Sequence, residues 1–236
     1  MWNCPPSTIL VPVDFGDASA RAVAVAGALA GRLGAEAWLL HAEVLEAPAY
    51  FTHDQMAALQ RQRMAAGAQA QAYLAEFGRN HGLASARVLL RDGPAVPAIL
   101  VAAAEADLVV MGTHGRTGPR RWWLGSVAER IVHEGPAPVL VVHQDPLTSP
   151  AAIFQRPLVV SPDGLHAEHA RRVAEGLTAA FGGQVADEVA RCEGDLARHR
   201  SATMIVVARR EPGDTTERWL RSCRLPMLFV PAIPAR

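Results

Sequence analysis

Short β-branched runs alternate with helical stretches from the start of the chain to about residue 143, and that alternation limits the fold more than any other feature. Ile9-Leu10-Val11-Pro12-Val13, Ala37 to His41, Arg87 to Leu90, Asp107 to Met111 and Pro138 to Val142 read as buried strands. Between them lie four helical stretches: Ala20 to about Leu33, Asp54 to about His81, Val96 to Ala104 and Ser126 to Glu134. Asp17 or Ser19 is a candidate cap for the first helix, with Gly34 closing it and Gly82 closing the second. Strand and helix in this order predict an α/β fold, a doubly wound parallel sheet with helices on both faces. Such sheets bind ligands at the carboxyl ends of their strands, where the strand order reverses. Asp14 and the segment after Met111 stand at such ends.

The remainder repeats the opening in reduced form. Pro157-Leu158-Val159-Val160-Ser161-Pro162-Asp163 echoes Ile9 to Asp14, Thr203 to Ala208 echoes Asp107 to Gly112, and Leu225 to Val230 echoes Ala137 to Val142. A helix over Ala167 to Phe181 stops at Gly182-Gly183. Asp14 to Gly112 spans 98 positions but Asp163 to Ala208 only 45, so the second copy lacks about a helix and a strand. The reading is two tandem Rossmann-like repeats: a complete domain over 1–145, a Pro/Ser-bearing linker over 146–156, and a truncated domain over 157–236.

Composition removes several classes of function. Of 236 residues, 50% are hydrophobic, enough to build a core. Basic and acidic residues number 23 each, so no global positive field is available for nucleic acid or an anionic membrane. Every basic residue is arginine; without lysine there is no Walker A lysine, no Schiff base and no S-x-x-K nucleophile pair. Cys4, Cys192 and Cys223 are dispersed and form no CxxC, which suits a reducing compartment. With no leader pattern at the N-terminus and no apolar span, a cytoplasmic location is expected.

Chemistry concentrates after the fourth strand. Gly112-Thr113-His114-Gly115-Arg116-Thr117-Gly118 leads through Pro119 to Leu124 into Gly125-Ser126, giving G-x2-G-x9-G-S. Glycines at 112 and 115 would permit positive φ and close backbone approach to an anion. Gly125-Ser126 opens a helix whose free N–H groups favour phosphate, and Ser126 with Glu129 forms an S-x-x-E capping box. Arg116 would add charge-assisted bonds. A plain glycine-rich turn is the competing reading; the strand before and helix after favour phosphate binding.

With its V-P-x-D opening and this G-x2-G-x9-G-S signature, the segment from Ile9 to His143 resembles a universal stress protein domain. The resemblance implies an adenine nucleotide as ligand, ATP or alternatively ADP or AMP, with Mg²⁺ as an optional companion. It implies that Asp14 binds near ribose and adenine, that Pro12, Val13 and Ala42 wall the base, that Gly112, His114, Gly115, Arg116, Gly125, Ser126 and Val127 line ribose and phosphates, and that Met111 also belongs to the nucleotide site. Fifth strands of this family pair across a dimer; here Pro138 to Val142 would pair with Pro226 to Val230 inside one chain, an internal pseudo-dimer, with a homodimer as a further option. The expected function is non-catalytic nucleotide binding in stress response, acting through an unidentified protein partner and neither nucleic acid nor membrane. The alternatives are a slow nucleotide hydrolase or phosphotransferase, disfavoured by the lack of paired carboxylates and lysine, and an interaction module with a vestigial site.

Other constellations are weaker. After Val207 the second copy reads Ala208-Arg209-Arg210-Glu211-Pro212-Gly213-Asp214, with no G-x2-G and with repelling carboxylates, and is read as non-binding. His166 and His169 lack a third metal ligand and read as solvated helix residues. His41, at a strand end, either shapes the pocket or is a satisfied structural histidine; Trp122-Trp123 is a lid, core or partner patch.

Overall fold

The computed structural model describes residues 5–44, 53–113, 124–143, 149–161, 164–187, 189–190, 199–208, 223 and 225–231, apart from the side chains of 53–63, 164–165 and 189–190. The first half runs β1 (Thr8–Pro12), α1 (Asp17–Leu33), β2 (Glu36–Glu43), α2 (His53–Asn80), β3 (Arg87–Asp92), α3 (Ala95–Ala103), β4 (Leu108–Gly112), α4 (Ser126–Glu134) and β5 (Val139–Val142). A short 3₁₀ helix, Pro150–Phe154, leads to β6 (Pro157–Val160), α5 (Gly164–Ala179), β7 (Val189–Ala190), β8 (Met204–Ala208) and β9 (Met227–Val230).

The strands form one sheet in the order β3-β2-β1-β4-β5-β9-β8-β6-β7. Within each half all pairings are parallel; the halves join through an antiparallel pair, with Val139 opposite Phe229, Leu140 opposite Leu228 and Val141 opposite Met227. This is the contact expected between the two terminal strands. Alternation decides which face each side chain covers. Ile9, Val11 and Val13 face a core shared with α1 and α5, while Leu10, Trp38 and Leu40 face one shared with α3 and α4.

Several local expectations change. Neither Asp17 nor Ser19 caps α1: Gly16 is the N-cap, and the Ser19 hydroxyl instead donates to the Gly16 carbonyl at 2.9 Å. The Ser126 capping box is absent as well. The Gly125 N–H donates to the Thr113 carbonyl at 2.6 Å, leaving Gly125 extended as N-cap and Ser126 as the first helical residue. Gly112 is not among the positive-φ residues; it is glycine because a Cβ there would lie 2.6–2.8 Å from the Cβ and backbone of Ala18 in α1. Helix α5 begins at Gly164 rather than Ala167. Gly34 does close α1 in the left-handed conformation, φ 67°. Gly135 ends α4 in an extended conformation imposed by Pro136.

The segment read as a linker is anchored where it is described. Ile153 and Phe154 are fully buried, and Phe154 stacks on Phe181 with ring centroids 4.6 Å apart. Arg32 of α1 lies over the same Phe181 ring at 5.8 Å, so the first helix of one half contacts the turn that follows α5 of the other. A Cβ on Gly183 would collide with the Phe154 carbonyl, which explains the second glycine of that pair.

Candidate functional site

The order β3-β2-β1-β4-β5 reverses between β1 and β4: the chain leaves β1 toward β2 on one side and returns as β4 on the other. The connections leaving β1 and β4 go to opposite faces of the sheet, α1 on one and α4 on the other, and leave a crevice at the carboxyl edge. A cavity of about 250 Å³ opens there. The end of β1 supplies Pro12, Val13 and Asp14; β2 supplies Leu40, His41 and Ala42; β4 and its continuation supply Met111, Gly112 and Thr113. Gly125, Ser126, Val127 and Ala128 at the start of α4 form the opposite wall, with Ala95 and Ile99 of α3 and Ser19 of α1 completing it.

Nine of the sequence-predicted residues thus meet in one cavity: Pro12, Val13, Asp14, Ala42, Met111, Gly112, Gly125, Ser126 and Val127. His114, Gly115 and Arg116 lie outside the described residues, as do Trp122, Trp123 and residues 209–217 of the second half. Sequence reasoning missed Ser19, Leu40, Ala95, Ile99, Thr113 and Ala128. Thr113 sits inside the G-x2-G motif and Leu40 shares a strand face with Ala42, so both were within reach; Ala95 and Ile99 arrive through the packing of α3.

The cavity lining is mainly apolar, with Asp14, Ser19, His41, Thr113 and Ser126 as its polar side chains. Asp14 is the sole carboxylate among the described lining, and His41 is its only basic side chain. Among the described residues, an anion here would meet backbone N–H groups and the dipole of α4, whose N-terminus carries no side-chain cap. The Gly125-to-Thr113 bond, with the Thr113 N–H donating to the Val142 carbonyl at 3.0 Å, pins both ends of the intervening loop beside the cavity.

The turn leaving β1 is unusual. Phe15 has φ 63°, a conformation that costs a bulky residue roughly 1–3 kcal/mol and persists only where surroundings enforce it. Its ring packs against His41 (centroids 4.8 Å), Tyr73 (4.8 Å) and Phe77 (5.3 Å). The Gly16 N–H donates to Asp14 Oδ1 at 3.0 Å, setting one carboxylate oxygen toward the backbone. His41 is both cavity wall and hydrogen-bonded, with Nδ1 2.7 Å from the Val13 carbonyl.

Among the described residues no group of three or more His, Cys, Asp or Glu is placed to hold a metal, and no helix is long and apolar enough to cross a membrane. On α5, burial, then Arg172 and His166, push the His169 imidazole below the usual histidine range.

Comparison with known proteins gives a consistent answer. The universal stress protein family profile matches residues 6–143. A universal stress protein of Thermus aquaticus is 36% identical over 137 residues, covering 57% of this chain and 97% of that protein. One from Mycobacterium tuberculosis is 34% identical over 142 residues, 58% of this chain but only 45% of the relative. The crystal structure of a universal stress protein from Archaeoglobus fulgidus superposes with a TM-score of 0.66 at 17% identity, over 96% of this chain and 97% of that one, a likeness of fold that includes the second half.

Proposed function

Since residues 6–143 match its profile, the chain belongs to the universal stress protein family, and we propose that it is a non-catalytic adenine-nucleotide-binding protein of the stress response. The carrying observation is the cavity at the β1/β4 switch point, which joins an apolar slot, one carboxylate and an uncapped helix N-terminus. The chemistry of this lining fits a nucleotide. The apolar walls, Pro12, Val13, Leu40, Ala42, Ile99 and Met111, suit a flat base; Asp14 is an acceptor for sugar hydroxyls; the amides opening α4 suit phosphate. ATP is the favoured ligand, with ADP or AMP making the same base and sugar contacts.

Calorimetric titration with ATP, alongside mass spectrometry of small molecules that co-purify, tests the reading. One nucleotide per chain is expected. Asp14→Ala should weaken it about tenfold to a hundredfold, the worth of roughly 1.5–3 kcal/mol for a hydrogen bond to a charged group. No uptake of ATP, or two equivalent sites per chain, would overturn it.

A further inference from the structure

We propose that His41 is a positioning residue of this site: it holds the segment 13–15 to β2 and thereby fixes the Asp14 carboxylate in the cavity wall. The inference rests on the nucleotide reading above and adds to it a residue that acts through another.

The ladder between β1 and β2 ends with Pro12 opposite Leu40, and Pro12 has no N–H to extend it. Beyond that point two bonds tie the chain to β2. The Val13 N–H donates to the Leu40 carbonyl at 2.8 Å, and His41 Nδ1 meets the Val13 carbonyl at 2.7 Å. A carbonyl only accepts, so the Nδ1 proton is fixed on that side of the ring. The backbone bond fixes the amide before Asp14; the histidine fixes the carbonyl that enters it. Phe15 then turns into the left-handed region directly after Asp14, and its ring rests on the same imidazole. His41 therefore restrains Asp14 from both sides, once through the preceding carbonyl and once through the following ring.

A double-mutant cycle read by ATP titration tests this, because coupling appears only between groups that act through each other. His41→Leu removes the donor and should weaken ATP by roughly five- to tenfold, the scale of one neutral hydrogen bond. His41→Asn, whose amide N–H can reach the same carbonyl, should recover most of the loss. In an Asp14→Ala background His41→Leu should cost less than about twofold. Should His41→Leu not fold, Phe15→Gly serves the same cycle: glycine adopts the turn freely while deleting the ring that rests on His41, and its effect should also vanish without Asp14. Wild-type affinity in His41→Leu, or an equal loss with and without Asp14, overturns the proposal while leaving the nucleotide reading standing. A wild-type chain that takes up no ATP removes both.

Discussion

Gly112→Ala probes the closest approach of helix and sheet in the site. The added Cβ would sit 2.6 Å from the Ala18 Cβ, 2.7 Å from the Ala18 carbonyl carbon and 2.8 Å from its oxygen. Carbon contacts settle near 3.5–4.0 Å, so α1 would have to retreat by roughly 1 Å at its first turn. Two of the three obstructing atoms are backbone and cannot rotate away. Overpacking of this kind costs about 1–3 kcal/mol, and a backbone obstacle puts Gly112→Ala toward the upper end, about 2–3 kcal/mol. At about 2–4 °C per kcal/mol for a chain of this size, Tm should fall by about 4–12 °C. Thermal and urea unfolding of the full chain measure it. Adding Ala18→Gly removes only the 2.6 Å contact, so recovery should stay below about half. Gly31→Ala in the same helix, where a Cβ meets nothing within 4 Å, is the control and should stabilise by about 0.5–1 kcal/mol. If Gly112→Ala unfolds within about 0.5 kcal/mol of wild type, Gly112 is not held to glycine by α1, and the anion-approach reading of that residue returns.

Other perturbations address the rest of the molecule. Phe154→Ala empties a fully buried site and breaks the stack on Phe181, so it should cost about 3–5 kcal/mol in urea unfolding; a loss under about 1 kcal/mol would mean the 3₁₀ segment is not part of the core. The folded state binds a proton at His169 less readily than the unfolded state, so unfolding takes one up and stability should decline as pH drops below about 6.5. His169→Gln should flatten Tm against pH between about pH 7 and 5, and an unaltered slope would count against the burial of that imidazole. A fragment of residues 1–146 bares β5, all four residues of which are buried in the full chain, and should dimerise or aggregate by light scattering; a stable monomer would mean the strand does not need its cover.

Most strands and the place of the cavity were legible in the sequence because both depend on local signals, whereas the two-residue β7, paired only with β6, was too short to leave one. Apolar runs bounded by turn residues marked β1, β4 and β5 to within a residue or two. The glycines at 112 and 125 marked the crevice even though Gly112 does not take the positive φ expected of it: a constraint on it comes from Ala18, a partner 94 positions away that no local pattern reveals. The start of α4 is similar: Gly125 is its N-cap and bonds to Thr113, in place of the capping box expected of Ser126 with Glu129. The left-handed turn at Phe15 had no signal at all, since a bulky aromatic is a poor candidate for positive φ until His41, Tyr73 and Phe77 surround it. Ile153 and Phe154 were hidden inside a segment whose prolines and serines read as a connector, though their apolar side chains are core.

The antiparallel join between β5 and β9 decides what the second half can contribute to the cavity. Strands of the first half run parallel, so β1, β2 and β4 deliver their carboxyl ends, with Asp14, Ala42 and Gly112, to one edge. Because β9 runs against β5 while β6, β7 and β8 run parallel to β9, the carboxyl ends of the second half emerge at the opposite edge. Ser161, the buried residue that follows β6, is therefore on the far side of the sheet from Asp14, and loops leaving β6 and β8 start from that far edge. The contribution of the second half passes instead through packing: β9 covers the row of backbone groups that β5 would otherwise offer to another chain, and Phe181 meets both Phe154 and Arg32 of α1. Covering an edge needs only a strand and its neighbours, which β9, β8 and β6 supply. Helix α1 meets Phe181 through Arg32 near one end and Gly112 through Ala18 at the other, so the same helix that touches the second half also closes on the cavity.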